Sequence, residues 1–126
     1  MKDHLELAET IGELSKQGVL IIGSGFATHN LATLNQQTTI PTWTKEFQAW
    51  LHDVLLNDKY STTERKEKLL NCVKTAPHMK TAHPRIEHFL PLIMCSAAAG
   101  YRPGKLLHSE IIIQTMINEH YLFSAE

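Results

Sequence analysis

The amino-acid sequence predicts an α/β domain, and three observations carry that reading. Val19–Ile22 is a four-residue apolar, largely β-branched run bounded by Gly18 and Gly23, the pattern of a strand buried on both faces. Apolar residues at a period near 3.6 mark helices, most firmly at Phe47, Trp50, Leu51, Val54 and Leu55. The tail carries short apolar runs that read as two strands of a hairpin. The expected architecture is a central strand, or strands, packed by helices, plus a C-terminal β-hairpin.

In chain order, residues 3 to 16 read as a helix, with Leu7, Ile11 and Leu14 at i, i+4 and i+7. Gly18 is its expected C-terminal stop. The strand Val19–Ile22 follows. A leading helix is an odd start for an α/β domain, because such a helix normally crosses over from an earlier strand. Residues 30 to 42 are polar and β-branched without a period and read as a loop. The amphipathic helix spans about Thr44 to Leu56, ended by Asn57 and Asp58. Ser61 and Glu64 have capping-box spacing and open another helix through Leu69, Leu70 and Val73. Thr75 to Thr81 reads as a second loop. A helix is expected from near Glu87 through Met94–Ala99 to Gly100, with Pro91 kinking it or delaying its start. Arg102-Pro103-Gly104 make a turn. The tail strands hold Leu106-Leu107, Ile111–Ile113 and Tyr121–Phe123, and the turn is placed near Ile117–Glu119.

Bulk composition narrows the function classes. The 126 residues allow one domain, and 43% hydrophobic and 20% charged residues are ordinary for a globular chain. A net charge of −1 without a Lys/Arg block argues against nucleic acid as a partner. The run Glu64-Arg65-Lys66-Glu67-Lys68 alternates in sign and reads as a solvated helix face. No apolar run approaches the ~18–20 residues of a membrane span, and the N-terminus lacks the apolar core of a signal peptide. Cys72 and Cys95 lack CxxC spacing, so a reducing cytoplasm is the expected compartment. The eight histidines are the compositional oddity and point toward metal or acid–base chemistry.

Two stretches concentrate that chemistry. Gly23-Ser24-Gly25 invites a dinucleotide-binding reading, but the third glycine of GxGxxG is replaced by Thr28. The plainer reading is a tight segment whose glycines let it approach a ligand or another backbone. His29 follows where a buried strand would end, the place at which α/β sheets collect ligands. Its ordinary alternative is a loop histidine held by neighbours. His83 and His88 lie five apart in a Pro-rich setting, not at the i, i+4 spacing of a helical zinc pair. One can ligate a metal while the other orients a substrate or a ligand. Glu87 is the carboxylate nearby. His4, His52, His78 and His120 read as surface residues, and His108 stays open between core and surface.

Taken together, Gly18–Gly25, Thr28-His29-Asn30-Leu31, Ala82-His83-Pro84, Glu87–Leu92 and Ala98-Ala99-Gly100 resemble the class III extradiol ring-cleavage dioxygenases, in particular the DOPA 4,5-dioxygenase branch. The likeness covers nearly the whole chain. It implies an oxygenase domain around a non-haem metal, Fe(II) or Zn(II), acting on a catechol-type molecule with O2. It further implies that His29 is a metal ligand or the catalytic acid/base, that His88 is a metal ligand, and that His83 lines the substrate pocket beside them. A catechol must lose protons to chelate a metal, which suits a poised imidazole.

The family's other metal histidines lie in an N-terminal half, on loops after earlier strands. Residues 1–126 are therefore expected to be the C-terminal portion of such a domain, inactive alone. Self-association, as a homo-oligomer, or a complementing N-terminal chain would complete the site. The alternative from another class is a non-catalytic metal-binding or interaction remnant, with exposed sheet edges that favour association.

Overall fold

The computed structural model describes residues 1–124. Its elements are six helices, α1 (Lys2–Gly12), α2 (Thr42–Leu56), α3 (Thr62–Leu70), α4 (Cys72–Thr75), α5 (Met79–Ala82) and α6 (Leu90–Ala98), followed by strands β1 (Lys105–Ile112) and β2 (Met116–Leu122). Short 3-10 turns occupy Glu13–Gln17, Leu31–Thr33 and Ile86–His88. The α/β class and the C-terminal antiparallel hairpin agree with the sequence.

Helix α2 is the core's spine. Phe47, Leu51, Val54 and Leu55 are fully buried, while Trp50 packs at the margin. Ser61 caps α3 as its spacing predicts: its hydroxyl accepts from the Glu64 amide, and the Glu64 carboxylate accepts from the Ser61 amide. Gly18 adopts φ +80 at the end of the first helical stretch, where a Cβ would be strained. Pro91 falls in the first turn of α6, a position without a helical N–H to lose, so α6 starts late and does not kink.

Helix α1 turns a different face inward from the one its leucines suggest. Leu5, Ala8 and Gly12 are buried, whereas Leu7 and Leu14 are exposed. Small residues decide this. A Cβ on Gly12 would stand 2.2 Å from the Ala98 carbonyl oxygen, so glycine is what lets α1 lie directly on α6.

The central strand is not formed. Residues 19–26 belong to no helix and no ladder among the described residues, and the sheet is the hairpin alone. Leu20 is 77% and Ile22 80% exposed, so a run patterned for burial on two faces has one face open. A strand needs neighbours on its hydrogen-bonding edges, and the described residues provide none there.

The hairpin turns earlier than expected. Ile112 pairs with Met116, so the loop is Ile113–Thr115 and not Ile117–Glu119. Ile113 and Gln114 both take positive φ, at 49° and 61°. No glycine or asparagine marks the turn, so the sequence carries no local signal for it. Its position is held from outside by Thr28, whose hydroxyl bonds both the Thr115 carbonyl and the Ile117 amide.

Candidate active site

The two histidine-bearing stretches meet along a seam of hydrogen bonds. The Phe26 amide donates to the His88 carbonyl at 3.0 Å, and the His29 amide to the Ala82 carbonyl at 2.9 Å. The Asn30 side chain donates to the Thr81 carbonyl at 2.7 Å, while its oxygen caps the turn Leu31–Thr33 by accepting from the Ala32 amide. Close approach requires the glycines. A Cβ on Gly25 would lie 2.2 Å from the His88 carbonyl oxygen, and one on Gly23 2.7 Å from that of Pro91. Gly23-Ser24-Gly25 therefore serves backbone-to-backbone contact with the start of α6, not a phosphate turn.

Thr28, fully buried, clamps the third partner. Its hydroxyl donates to the Thr115 carbonyl and accepts from the Ile117 amide, both at 2.7 Å. The residue that breaks the GxGxxG pattern thus ties the site segment to the hairpin across 87 residues of sequence.

This framework stacks the rings of His29 and His88, with centroids 3.6 Å apart and planes 20° from parallel. Phe26 stands tilted beside His29 at 6.3 Å. His83 does not line a cleft with them. It is 5% exposed, boxed by the Phe89 and Phe47 rings at 4.9 and 5.9 Å. Its Nε2–H donates to the Ala27 carbonyl at 2.9 Å, and because a carbonyl only accepts, the proton sits on Nε2. Nδ1 is buried and has no partner. Burial pushes the His83 imidazole down to about 4, assisted by His29 and His88 nearby and opposed by the bond to Ala27 and by Glu87. It is held neutral.

A family-type metal fits this arrangement only in part. Among the described residues no group of three or more His, Cys, Asp or Glu side chains is placed to hold a metal ion. The two stacked rings cannot share one ion either. An imidazole binds along its ring plane at ~2.0–2.1 Å. With centroids 3.6 Å apart and planes only 20° from parallel, the two rings lie face to face and do not aim their nitrogens at a common point. The pair therefore offers one ligand and one free imidazole, short of the three or four donors a centre needs.

The other histidines sort differently. His4 is exposed. His78 pairs with Glu46 at the surface. The His108 and His120 rings face each other across the hairpin at 5.1 Å. His52, read as a surface residue, contacts Glu119 at 2.8 Å, and the Glu119 side chain is fully buried. Gln48, Ser109 and Tyr121 also donate to that carboxylate. Burial alone would raise its pKa, but these bonds outweigh burial and keep it below the usual carboxylate range. Nothing in the local sequence signals this cluster, because its members come from three elements.

The family description "catalytic LigB subunit of aromatic ring-opening dioxygenase" matches residues 2–124. The chain is 36% identical over 108 residues to a 4,5-DOPA dioxygenase extradiol of Beta vulgaris, covering 84% of this chain and 38% of that protein. Its namesake from Mirabilis jalapa is 36% identical over 107 residues, again 38% of the relative. The chain thus spans less than two fifths of the length of these relatives. A crystal structure of an uncharacterized protein from Escherichia coli K12 superposes with a TM-score of 0.75 at 20% identity, covering 94% of this chain and 48% of the other.

Proposed function

Because the chain belongs to the family of the catalytic LigB subunit of aromatic ring-opening dioxygenases, we propose that it is the portion of an extradiol ring-cleaving enzyme that carries the His29–His88 pair. The substrate class is a catechol, DOPA among them, cleaved with O2. The observation that carries the reading is the stack: two imidazoles from segments 59 residues apart are brought into face contact by a dedicated hydrogen-bond seam.

The geometry supports a division of labour. We assign His88 as a metal ligand and His29 as the acid/base that takes a proton from a catechol hydroxyl and can return it later. His83 works one step back. It pins the Ala27 carbonyl, two residues from His29, and acts as a positioning residue. The chemistry of O2 calls for non-haem iron(II); zinc(II) would suit the same imidazole donor but, being without redox chemistry, would hold the site without cleaving a ring, and the remaining donors come from outside the described residues. The 126-residue chain alone is accordingly inactive. No helix of the described residues is long and apolar enough to cross a membrane, and the free thiols Cys72 and Cys95 suit a reducing cytoplasm.

The test is a chimera in which this chain replaces the matched segment of the Beta vulgaris relative, loaded anaerobically with iron(II). Oxygen uptake with DOPA and a yellow ring-opened product are expected. His88→Ala should lose bound metal and uptake together; His29→Ala should lose uptake and keep the metal. Uptake unchanged in both variants would refute the assignment. A non-catalytic metal-binding module is the second reading, favoured by the deficit of donors, and it predicts metal retention without uptake.

A further inference from the structure

The hairpin is irregular at one point, and the irregularity sets two histidines opposite one another. Lys105 pairs with Leu122 and Leu106 with Tyr121, but past Leu107 the register moves by one residue, so that His108 pairs with His120 and Ser109 with Glu119. Had the first register continued, His108 would stand opposite Glu119, on the face turned to α2. Leu107 is the extra residue of a β-bulge, and it turns His108 onto the outer face. There the His108 and His120 rings lie with centroids 5.1 Å apart and planes at 40°. Both residues are exposed. Neither belongs to the network that Glu119 makes with Gln48, His52, Ser109 and Tyr121 on the inner face. The Glu110 carboxylate, two residues along the same face, reaches within 3.7 Å of His108 Nε2.

We propose that His108 and His120 form a zinc-binding site on the outer face of the hairpin, separate from the His29–His88 pair. Imidazoles are zinc donors, and each binds along its ring plane at ~2.0–2.1 Å. An ion shared by two rings at the tetrahedral angle stands about 3.2 Å from each centroid and holds the centroids about 5 Å apart. The hairpin already supplies that separation, 5.1 Å. Donors set opposite each other on a paired ladder have little backbone freedom left to lose on binding. Glu110 places a carboxylate beside the pair, which favours a cation there. No third His, Cys, Asp or Glu among the described residues is placed to complete the shell, so the ion is open to two waters or to a ligand from solution. Once occupied, the site ties β1 to β2 at the bulge and stabilises the hairpin by mass action. His108 and His120 lie outside the stretches that carry the dioxygenase likeness, so the site stands whether or not the assembled protein cleaves rings.

Zinc(II) titrated onto the 126-residue chain at about pH 7.5, because only a neutral imidazole ligates, tests the site by calorimetry and by the imidazole C–H signals in NMR. In the unsubstituted chain and in His88→Ala alike, the His108 and His120 signals should shift together, while those of His4 and His78 stay in place. In His88→Ala, which removes the other candidate ligand, one zinc should bind with a dissociation constant below about 0.1 mM. Adding His120→Ala should weaken that binding about tenfold or more and leave His108 unmoved by zinc, and His108→Ala should do the same to His120. Both rings are exposed, so neither substitution should shift the Tm of the zinc-free chain, whereas zinc should raise the Tm only where both histidines are present. Uptake of zinc only at millimolar concentration overturns the proposal. So does an affinity left unchanged by His108→Ala and by His120→Ala, or zinc that moves the His29 signals and neither of the hairpin pair.

Discussion

Replacing His83 by glutamine isolates the energetic cost of keeping a neutral imidazole behind the site. His83 is buried, donates one bond to Ala27 and leaves Nδ1 unpartnered, so protonating it places a charge among Phe47, Phe89 and backbone with no counter-ion in contact. Its pKa falls from the ordinary 6.5 to about 4. At ~1.4 kcal/mol per pH unit the gap amounts to about 3 kcal/mol. The sign follows from which state binds the proton. Below pH 6.5 the unfolded chain takes it up and the folded chain does not. Stability from this group is therefore complete above 6.5, is lost as the pH falls toward 4, and is level below that. Glutamine keeps a donor for Ala27 but cannot titrate. Urea unfolding followed by circular dichroism at several pH values should show the wild type ahead by about 1 kcal/mol near pH 8. It should fall behind by about 2 kcal/mol near pH 4. His29, His88 and Glu87 surround the position in both proteins, so their own titration cancels in the difference to first order. A difference constant within about 1 kcal/mol across that range would refute the reasoning.

Other perturbations probe the frame around the site. Thr28→Val leaves the Thr115 carbonyl and the Ile117 amide buried and unpaired, which should cost about 2–4 kcal/mol in urea unfolding, with Thr28→Ser recovering most of it. Arg65 is fully buried and donates to the carbonyls of Val54, Asn57, Tyr60 and Tyr101 without a carboxylate partner. Arg65→Met should destabilise by about 3–5 kcal/mol, and Arg65→Lys should recover less than half, because an ammonium cannot fork to four acceptors. Gly12→Ala should lower the thermal midpoint, at a cost of about 1–3 kcal/mol, by forcing α1 away from the Ala98 carbonyl despite alanine's better helix propensity.

The sequence by itself determined what depends on near neighbours. The α2 stripe, the Ser61–Glu64 capping box, the Gly18 stop and the hairpin are short-range consequences of period and side-chain chemistry, and they stand in the structure. The family likeness was legible for the same reason, since its motifs are local strings. Tertiary structure decided everything that joins distant strings. Thr28 reads as a failed glycine until Thr115 and Ile117 arrive beside it. Arg65 reads as part of a solvated charge run until four carbonyls surround it. Leu7 loses the inner face of α1 to Ala8 and Gly12, because backbone approach to α6 depends on side-chain volume there, and Leu14 falls beyond the helix in the 3-10 turn. Val19–Ile22 has the composition of a buried strand, but a strand is a relation between chains of hydrogen-bonding groups. Without a neighbour along its edge the same residues join no ladder, and Leu20 and Ile22 stand open.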